Sequence, residues 1–314
     1  MRKLGIAVIG TGFWGRNHAR NLKELHETRL IAVCDKDEAR AKAIAELFGV
    51  EAYTDSRKML KREDIEAVTV CTWSTNLAAE ATNALKAGKH VLVEKPMANS
   101  VQEAGKIVEL ARKNQRYLMV GFLMRFIPGV QRIKEAVEKG EIGTLVYATA
   151  RRVSEWPERI GDVGVVKDLA IHDIDITRYL FGDDPEEVYA KAGSLRAKQY
   201  EDHAQIMLTF RGGKTAFIEA NWLTPYKIRK LTVTGSKAIM SLDYITQEIT
   251  IETSGQTLAP RYEVKEPLKL ELQHFAKSIL NDKEPIITGV DGLKAVQVAE
   301  AALKSAQIGT AIKL

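Results

Sequence analysis

The sequence predicts an α/β protein in two parts: an N-terminal doubly wound parallel sheet, then an α+β half with an open antiparallel sheet. Three observations carry this expectation. The first 120 or so residues alternate apolar runs with helix-period segments, the pattern of βα units. The first run, residues 4–9, delivers Gly10-Thr11-Gly12-Phe13-Trp14-Gly15, and the next run ends at Asp35, twenty positions beyond Gly15. After Gly121 the strands follow one another without helices between them.

In order, strands are expected at 4–9, 30–34, 52–53, 67–71, 90–93 and 117–120. The intervening segments 37–48, 76–87 and 101–114 carry apolar residues at helical spacing among Ala, Leu, Lys and Glu. Gly49 and Gly88 sit where helix ends favour glycine, and Ser100 where a helix start favours a hydroxyl. A helix over 128–139 leads to a strand at 145–153, and another helix covers 166–180. Strands follow at 187–194, 203–210, 214–221, 228–234, 238–243 and 248–253, with Arg211-Gly212-Gly213 and Gly235-Ser236-Lys237 read as hairpin turns. Helices at 268–280 and 291–306 close the chain. The domains expected are 1–122 and 123–314, the final helices being able to pack back on the first.

At 314 residues the chain is long enough for two cores, and 45% hydrophobic with 28% charged residues describes a soluble globular protein. No apolar run approaches the ~18 residues of a membrane span. Met1-Arg2-Lys3 leads straight into the first strand and leaves no room for a signal peptide, so a cytoplasmic location is expected. The net charge is +5, with basic and acidic residues interspersed and no basic block, which gives nucleic-acid binding no support. Cys34 and Cys71 each end a predicted strand. With the first strand between them they stand about 9.5 Å apart, too far for a disulfide, and no Cys/His cluster points to a metal.

The glycine pattern has the context of a dinucleotide-binding Rossmann turn. Gly10 allows the tight turn, Gly12 leaves room for a pyrophosphate, and Gly15 lets the helix approach the strand. The helix N-terminus, with Thr11, Phe13 and Trp14 in the turn, favours phosphate. Asp35 would accept hydrogen bonds from the adenosine ribose and repel a 2′-phosphate, so NAD is expected rather than NADP.

Three further constellations could do chemistry. Glu94-Lys95-Pro96 follows the fifth strand, at the carboxyl edge where open α/β sheets bind ligands; a strand-terminal surface lysine is the plainer account. Asp168 and His172 are four residues apart on one predicted helix face, so the carboxylate could orient the imidazole. A helix cap beside a satisfied histidine explains the same residues. Arg151-Arg152 and Arg159 flank the link into that helix, where guanidinium groups would suit a diphosphate or simply line a solvated strand edge.

These motifs, with Gly121-Phe122, Arg125-Phe126, Glu271-Leu272-Gln273-His274-Phe275 and Ala299-Glu300-Ala301-Ala302-Leu303, make the chain resemble the glucose-fructose oxidoreductase / inositol dehydrogenase / MocA family over nearly its whole length. The resemblance implies a Rossmann domain followed by an open-sheet domain whose outer face often mediates homo-oligomers, dimers or tetramers. It implies catalytic positions at Lys95, Asp168 and His172, a cis Lys95–Pro96 bond, and a cofactor-covering segment at Thr72 and Asn76, where Trp73 replaces a common proline. Glu94 would belong to the cofactor edge, and Arg125 to the substrate. Within the family, the run from Arg152 through Pro157, Arg159, Asp162-Val163-Gly164 and Asp168 to Asp175 is similar to the UDP-N-acetylglucosamine 3-dehydrogenases. The implied reaction is oxidation of a secondary sugar hydroxyl, at C3 of a UDP-N-acetylhexosamine, with Lys95 or His172 as the immediate base and Arg152 or Arg159 on the diphosphate. A free sugar or cyclitol is the alternative substrate. A non-catalytic dinucleotide sensor is the other alternative, and it would need none of Lys95, Asp168 and His172.

Overall fold

Alternating burial in the chain resolves into two sheets. The computed structural model describes residues 2–157, 162–197 and 199–314. Two compact units divide it: Met1–Leu123 with Pro267–Leu293, and Met124–Glu266 with Lys294–Leu314.

The first unit holds six parallel strands in the order β3-β2-β1-β4-β5-β6. These are β1 (Leu4–Ile9), β2 (Thr28–Cys34), β3 (Glu51–Tyr53), β4 (Ala67–Val70), β5 (His90–Val93) and β6 (Leu118–Val120). Every residue of β1 and β4 is buried, as continuous apolar strands require when helices cover both faces. The helices are α1 (Phe13–Glu24), α2 (Glu38–Phe48), α3 (Ser56–Met59), α4 (Ser74–Lys86) and α5 (Val101–Lys113). Asp37 caps α2 by accepting from the Arg40 N–H, Ser100 caps α5 by accepting from Glu103, and Gly49 ends α2 at φ 63°. α3 escapes the sequence reading because one turn is too short to show a period. Cys34 ends β2 and Cys71 directly follows β4, the two strands that flank β1, and both are buried free thiols. Helix α8 (Pro267–Leu280) returns to this unit, with Lys269 on Glu24 at 3.0 Å and Gln273 on Glu27 at 2.9 Å.

The second unit contains a nine-stranded sheet in the order β14-β13-β12-β11-β7-β10-β9-β8-β15. Its strands are β7 (Leu145–Val153), β8 (Pro185–Gly193), β9 (His203–Phe210), β10 (Thr215–Asn221), β11 (Ile228–Gly235), β12 (Ile239–Asp243), β13 (Ile249–Glu252), β14 (Thr257–Leu258) and β15 (Ile312–Lys313). The sheet is mostly antiparallel, with one correction to the expectation: β7 and β10 run parallel. The chain leaves β7, crosses a helix and the β8–β9 hairpin, and returns beside β7 in the same direction. Helices α6 (Pro128–Glu138) and α7 (Ile171–Phe181) pack on one face. In α6, a Cβ on Gly129 would lie 2.5 Å from a Leu242 methyl, so glycine sets that close approach. On the opposite face Tyr147, Met207 and Phe217 stand exposed. Helix α9 (Gly289–Ile308) begins in the first unit and ends in the second. No helix among the described residues is long and apolar enough to cross a membrane.

Candidate active site

In the first unit the glycine turn has the geometry its pattern predicts. Gly10 sits at φ 87°, and a Cβ there would lie 2.8 Å from the Cys71–Thr72 backbone. A Cβ on Gly15 would meet the Gly10 carbonyl oxygen at 1.7 Å, so α1 can lie this close to β1 only with glycine. Around Gly12 nothing lies within 4 Å of the missing Cβ. No side chain caps α1 and no acidic residue occupies its first turn, which leaves its initial N–H groups to a phosphate. These features fit a dinucleotide.

Asp35 closes this edge. One carboxylate oxygen accepts from the Thr11 N–H at 2.8 Å and the Thr11 hydroxyl at 2.9 Å, while the other accepts from the Asp37 N–H at 3.0 Å. Burial opposes its charge, yet the bonds from Thr11 and Asp37 and the nearby Arg40 guanidinium outweigh burial and hold the carboxyl below its ordinary range. A fixed negative charge therefore stands at the tip of β2. Thr72 and Asn76 lie half-buried on either side of exposed Trp73, which starts α4.

Lys95 follows β5 at the same carboxyl edge, half-buried, and the Lys95–Pro96 bond is cis. Glu94 is buried beneath it. One Glu94 oxygen pairs with Nε2 of His18 at 3.0 Å, and the other accepts from the Lys95 N–H at 3.2 Å. A Cβ on Gly121 would come within 3.1 Å of this carboxylate. Glu94 thus ties the lysine-bearing turn to α1 from below. His18 is fully buried on α1, and a lone histidine on a helix carries no ligand spacing that a sequence would show.

In the second unit, Asp168 and His172 do not share one regular α-helix. Val166–Ala170 winds as a π-helical turn before α7 begins at Ile171. Such turns are costly in isolation and recur at functional sites. Glu201 fixes this one: its carboxylate accepts from the Val166 N–H and its carbonyl from the Val165 N–H, each at 3.0 Å. A Cβ on Gly164 would fall 2.1 Å from that carboxylate, so a larger residue there would push the Glu201 side chain out of its place. Burial raises the Glu201 pKa above the usual carboxylate range.

Helix α7 is buried almost all round and held by two guanidinium–carboxylate forks. Arg152 on β7 donates to Asp173 at 2.7 and 2.9 Å. Arg125, in the 3-10 turn Leu123–Phe126, donates to Asp175 at 2.8 and 2.5 Å. All four side chains are at most 4% exposed. Here the structure departs from the sequence expectation: Arg125 and Arg152, expected on the substrate, are both buried and paired with carboxylates of α7. Their effect is to fix the helix that presents His172, itself 7% exposed. Arg159 lies outside the described residues. Across the sheet, Arg229 of β11 stands directly opposite Arg152 in an antiparallel pair. No His/Cys/Asp/Glu cluster among the described residues could hold a metal.

Comparison with known proteins matches both halves of the chain. Residues 4–122 match the family model described as "Oxidoreductase family, NAD-binding Rossmann fold", and residues 130–241 match the "GFO/IDH/MocA C-terminal domain". The myo-inositol 2-dehydrogenase of Thermotoga maritima is 32% identical, over 98% of each chain. The UDP-N-acetylglucosamine 3-dehydrogenase of Acidithiobacillus ferrooxidans is 26% identical, over 95% of this chain and 96% of that one. The crystal structure of an aldose-aldose oxidoreductase from Caulobacter crescentus is similar with a TM-score of 0.92 at 26% identity, covering all of both chains. By its Rossmann turn, its Glu94-Lys95-Pro96 edge and these full-length relatives, the chain belongs to the glucose-fructose oxidoreductase / inositol dehydrogenase / MocA family of oxidoreductases, and its N-terminal unit is that family's NAD-binding domain.

Proposed function

We propose that the protein oxidises a secondary hydroxyl of a sugar ring with NAD, and that the sugar is a UDP-N-acetylhexosamine oxidised at C3. The observation that carries the reaction class is the shared edge of one parallel sheet: the open glycine turn after β1 and Lys95 after β5. Ligands of such sheets bind beyond the carboxyl ends of the strands. A nicotinamide, when bound, supplies the hydride acceptor. Lys95 donates a hydrogen bond to the reacting oxygen and stabilises the charge that develops on it. His172, oriented by Asp168, takes the hydroxyl proton, so loss of one proton and one hydride from the carbinol leaves a ketone. Lys95 and His172 compete for the role of immediate base, and each variant below separates them. The charge of Asp35 favours NAD over NADP.

The nucleotide-sugar reading is supported by the full-length similarity to the UDP-N-acetylglucosamine enzyme. A cyclitol substrate is the second reading, supported by the higher identity to the myo-inositol enzyme. We place the protein in the cytoplasm as a homo-oligomer assembled through the sheet face that exposes Tyr147, Met207 and Phe217. The test follows NADH at 340 nm with a panel of sugars and cyclitols, each with and without UDP. Lys95→Met and His172→Asn should each lower turnover by ~100-fold or more with NAD affinity retained. The variant whose residual rate loses its alkaline rise identifies the base. Near-normal turnover in both variants removes the assignment.

A further inference from the structure

The cations on the helix-covered face of the second unit do not balance. Arg152, on β7, is neutralised by its fork with Asp173. Its cross-strand neighbour Arg229 shares the same face, because directly paired residues of antiparallel strands project to the same side. Arg229 is only partly exposed, and among the described residues it has no ion pair or side-chain hydrogen bond. Two like charges directly opposite one another destabilise a sheet. Lys227, two residues earlier and exposed, adds a third positive charge and likewise has no such partner among the described residues. Burial first, and then the charge of Arg152, lower the Arg229 pKa to about 10, while Asp173 and Asp168 act on it in the opposite sense. Asp173, which holds Arg152, directly follows His172 on α7, so Arg229 lies on the side of the sheet that carries the histidine-bearing helix. The Lys227 pKa is lowered too, chiefly by Arg229.

We propose that Arg229, assisted by Lys227, binds an anionic group of the substrate on the α7 side of the sheet, so that the enzyme selects a polyol carrying a phosphate or a carboxylate over a neutral one. A guanidinium held beside another guanidinium gains most from a ligand that brings oxygen acceptors and negative charge. The inference rests on the dehydrogenase reading for its site and adds to it a class of substrate and two residues that motif reading did not single out. A phosphate-bearing ligand means a sugar phosphate or a nucleotide sugar; a carboxylate-bearing one means a sugar acid. A neutral cyclitol would bring Arg229 no negative charge.

The test is equilibrium binding by calorimetry at low salt on the full chain with NAD present, using UDP, glucuronate and myo-inositol as probes. Wild-type protein should bind UDP or glucuronate, and which of the two it binds names the source of the anion. Arg229→Met should weaken that binding by at least about ten-fold, Lys227→Met by a smaller factor, and Arg229→Lys should restore part of it. Binding of myo-inositol should be the same in all four proteins. The proposal is overturned if wild type binds neither anion, or if Arg229→Met and Lys227→Met bind them as wild type does. Because Lys227 is exposed, its variant reports even if Arg229→Met folds poorly. Turnover is read separately: anion binding that depends on Arg229, with no oxidation of any polyol, sinks the dehydrogenase reading and leaves this one standing.

Discussion

The buried Arg152–Asp173 fork separates a structural arginine from a substrate-binding one, and its two single variants should not be equivalent. Both side chains are 1% exposed and joined by two charge-assisted bonds of 2.7 and 2.9 Å. Removing one partner of a buried pair costs roughly 3–5 kcal/mol, because the other charge stays buried without its counter-ion. In Asp173→Asn the stranded guanidinium faces Arg229 directly across the strand pair, so the loss belongs at the upper end, about 5 kcal/mol. In Arg152→Met the stranded carboxylate has Arg229 nearby as a substitute cation, and the loss should fall to about 3 kcal/mol or below. The double variant Arg152→Met/Asp173→Leu removes both charges and should recover most of the stability. Urea unfolding followed by circular dichroism at neutral pH reads all three. The reasoning fails if Arg152→Met keeps the wild-type midpoint while its KM for substrate rises, since that is how an arginine facing a ligand behaves.

Three other outcomes follow from named contacts. Asp35→Ser removes the fixed charge at the tip of β2 and should raise the affinity for NADP relative to NAD by ~10-fold, read by quenching of tryptophan fluorescence; an unchanged ratio would deny Asp35 its role. Asp202 is buried, yet accepts from the Ala197, Arg196 and Leu195 N–H groups and from His203, and these bonds overcome burial to hold its pKa at about 2. A folded pKa below the unfolded one gives stability that is full above about pH 4 and lost as pH falls towards 2. Asp202→Asn should therefore cost about 2 kcal/mol at pH 7 and little below pH 2, which thermal melts across that range would check. Gly164→Ala drives a methyl into the Glu201 carboxylate and should cost roughly 1–3 kcal/mol, with faster amide exchange in the Val166–Ala170 turn. A Gly164→Ala variant with the wild-type melting temperature and unchanged exchange in that turn would show that the methyl is accommodated there without strain.

Much of this was legible in the chain. The apolar runs at Leu4–Ile9 and His90–Val93 sit where the strands are, since a strand buried on both faces leaves an unbroken apolar record. Gly10, Gly12 and Gly15 announced the turn because each answers a local steric demand. The π turn at Val166–Ala170 was not legible, because it depends on Glu201, a residue 35 positions away from Val166 that contributes no periodicity to the helix. His18 and Glu94 likewise find each other only across 76 residues of sequence.

By itself the sequence determined the order of βα units, the nucleotide turn, the acid at the tip of β2 and the residue types available for proton and hydride chemistry. These are encoded in short-range pattern, where hydrophobic period and glycine sterics act within a few residues. What the charged residues do is set by the folded arrangement. Arg125 and Arg152 look like ligands for an anion in the chain and become clamps on α7, while Arg229, unremarked in the sequence, is left opposite a neutralised neighbour. Charge pairing is set by which side chains strand register and helix packing bring together away from water, and no local pattern records that choice.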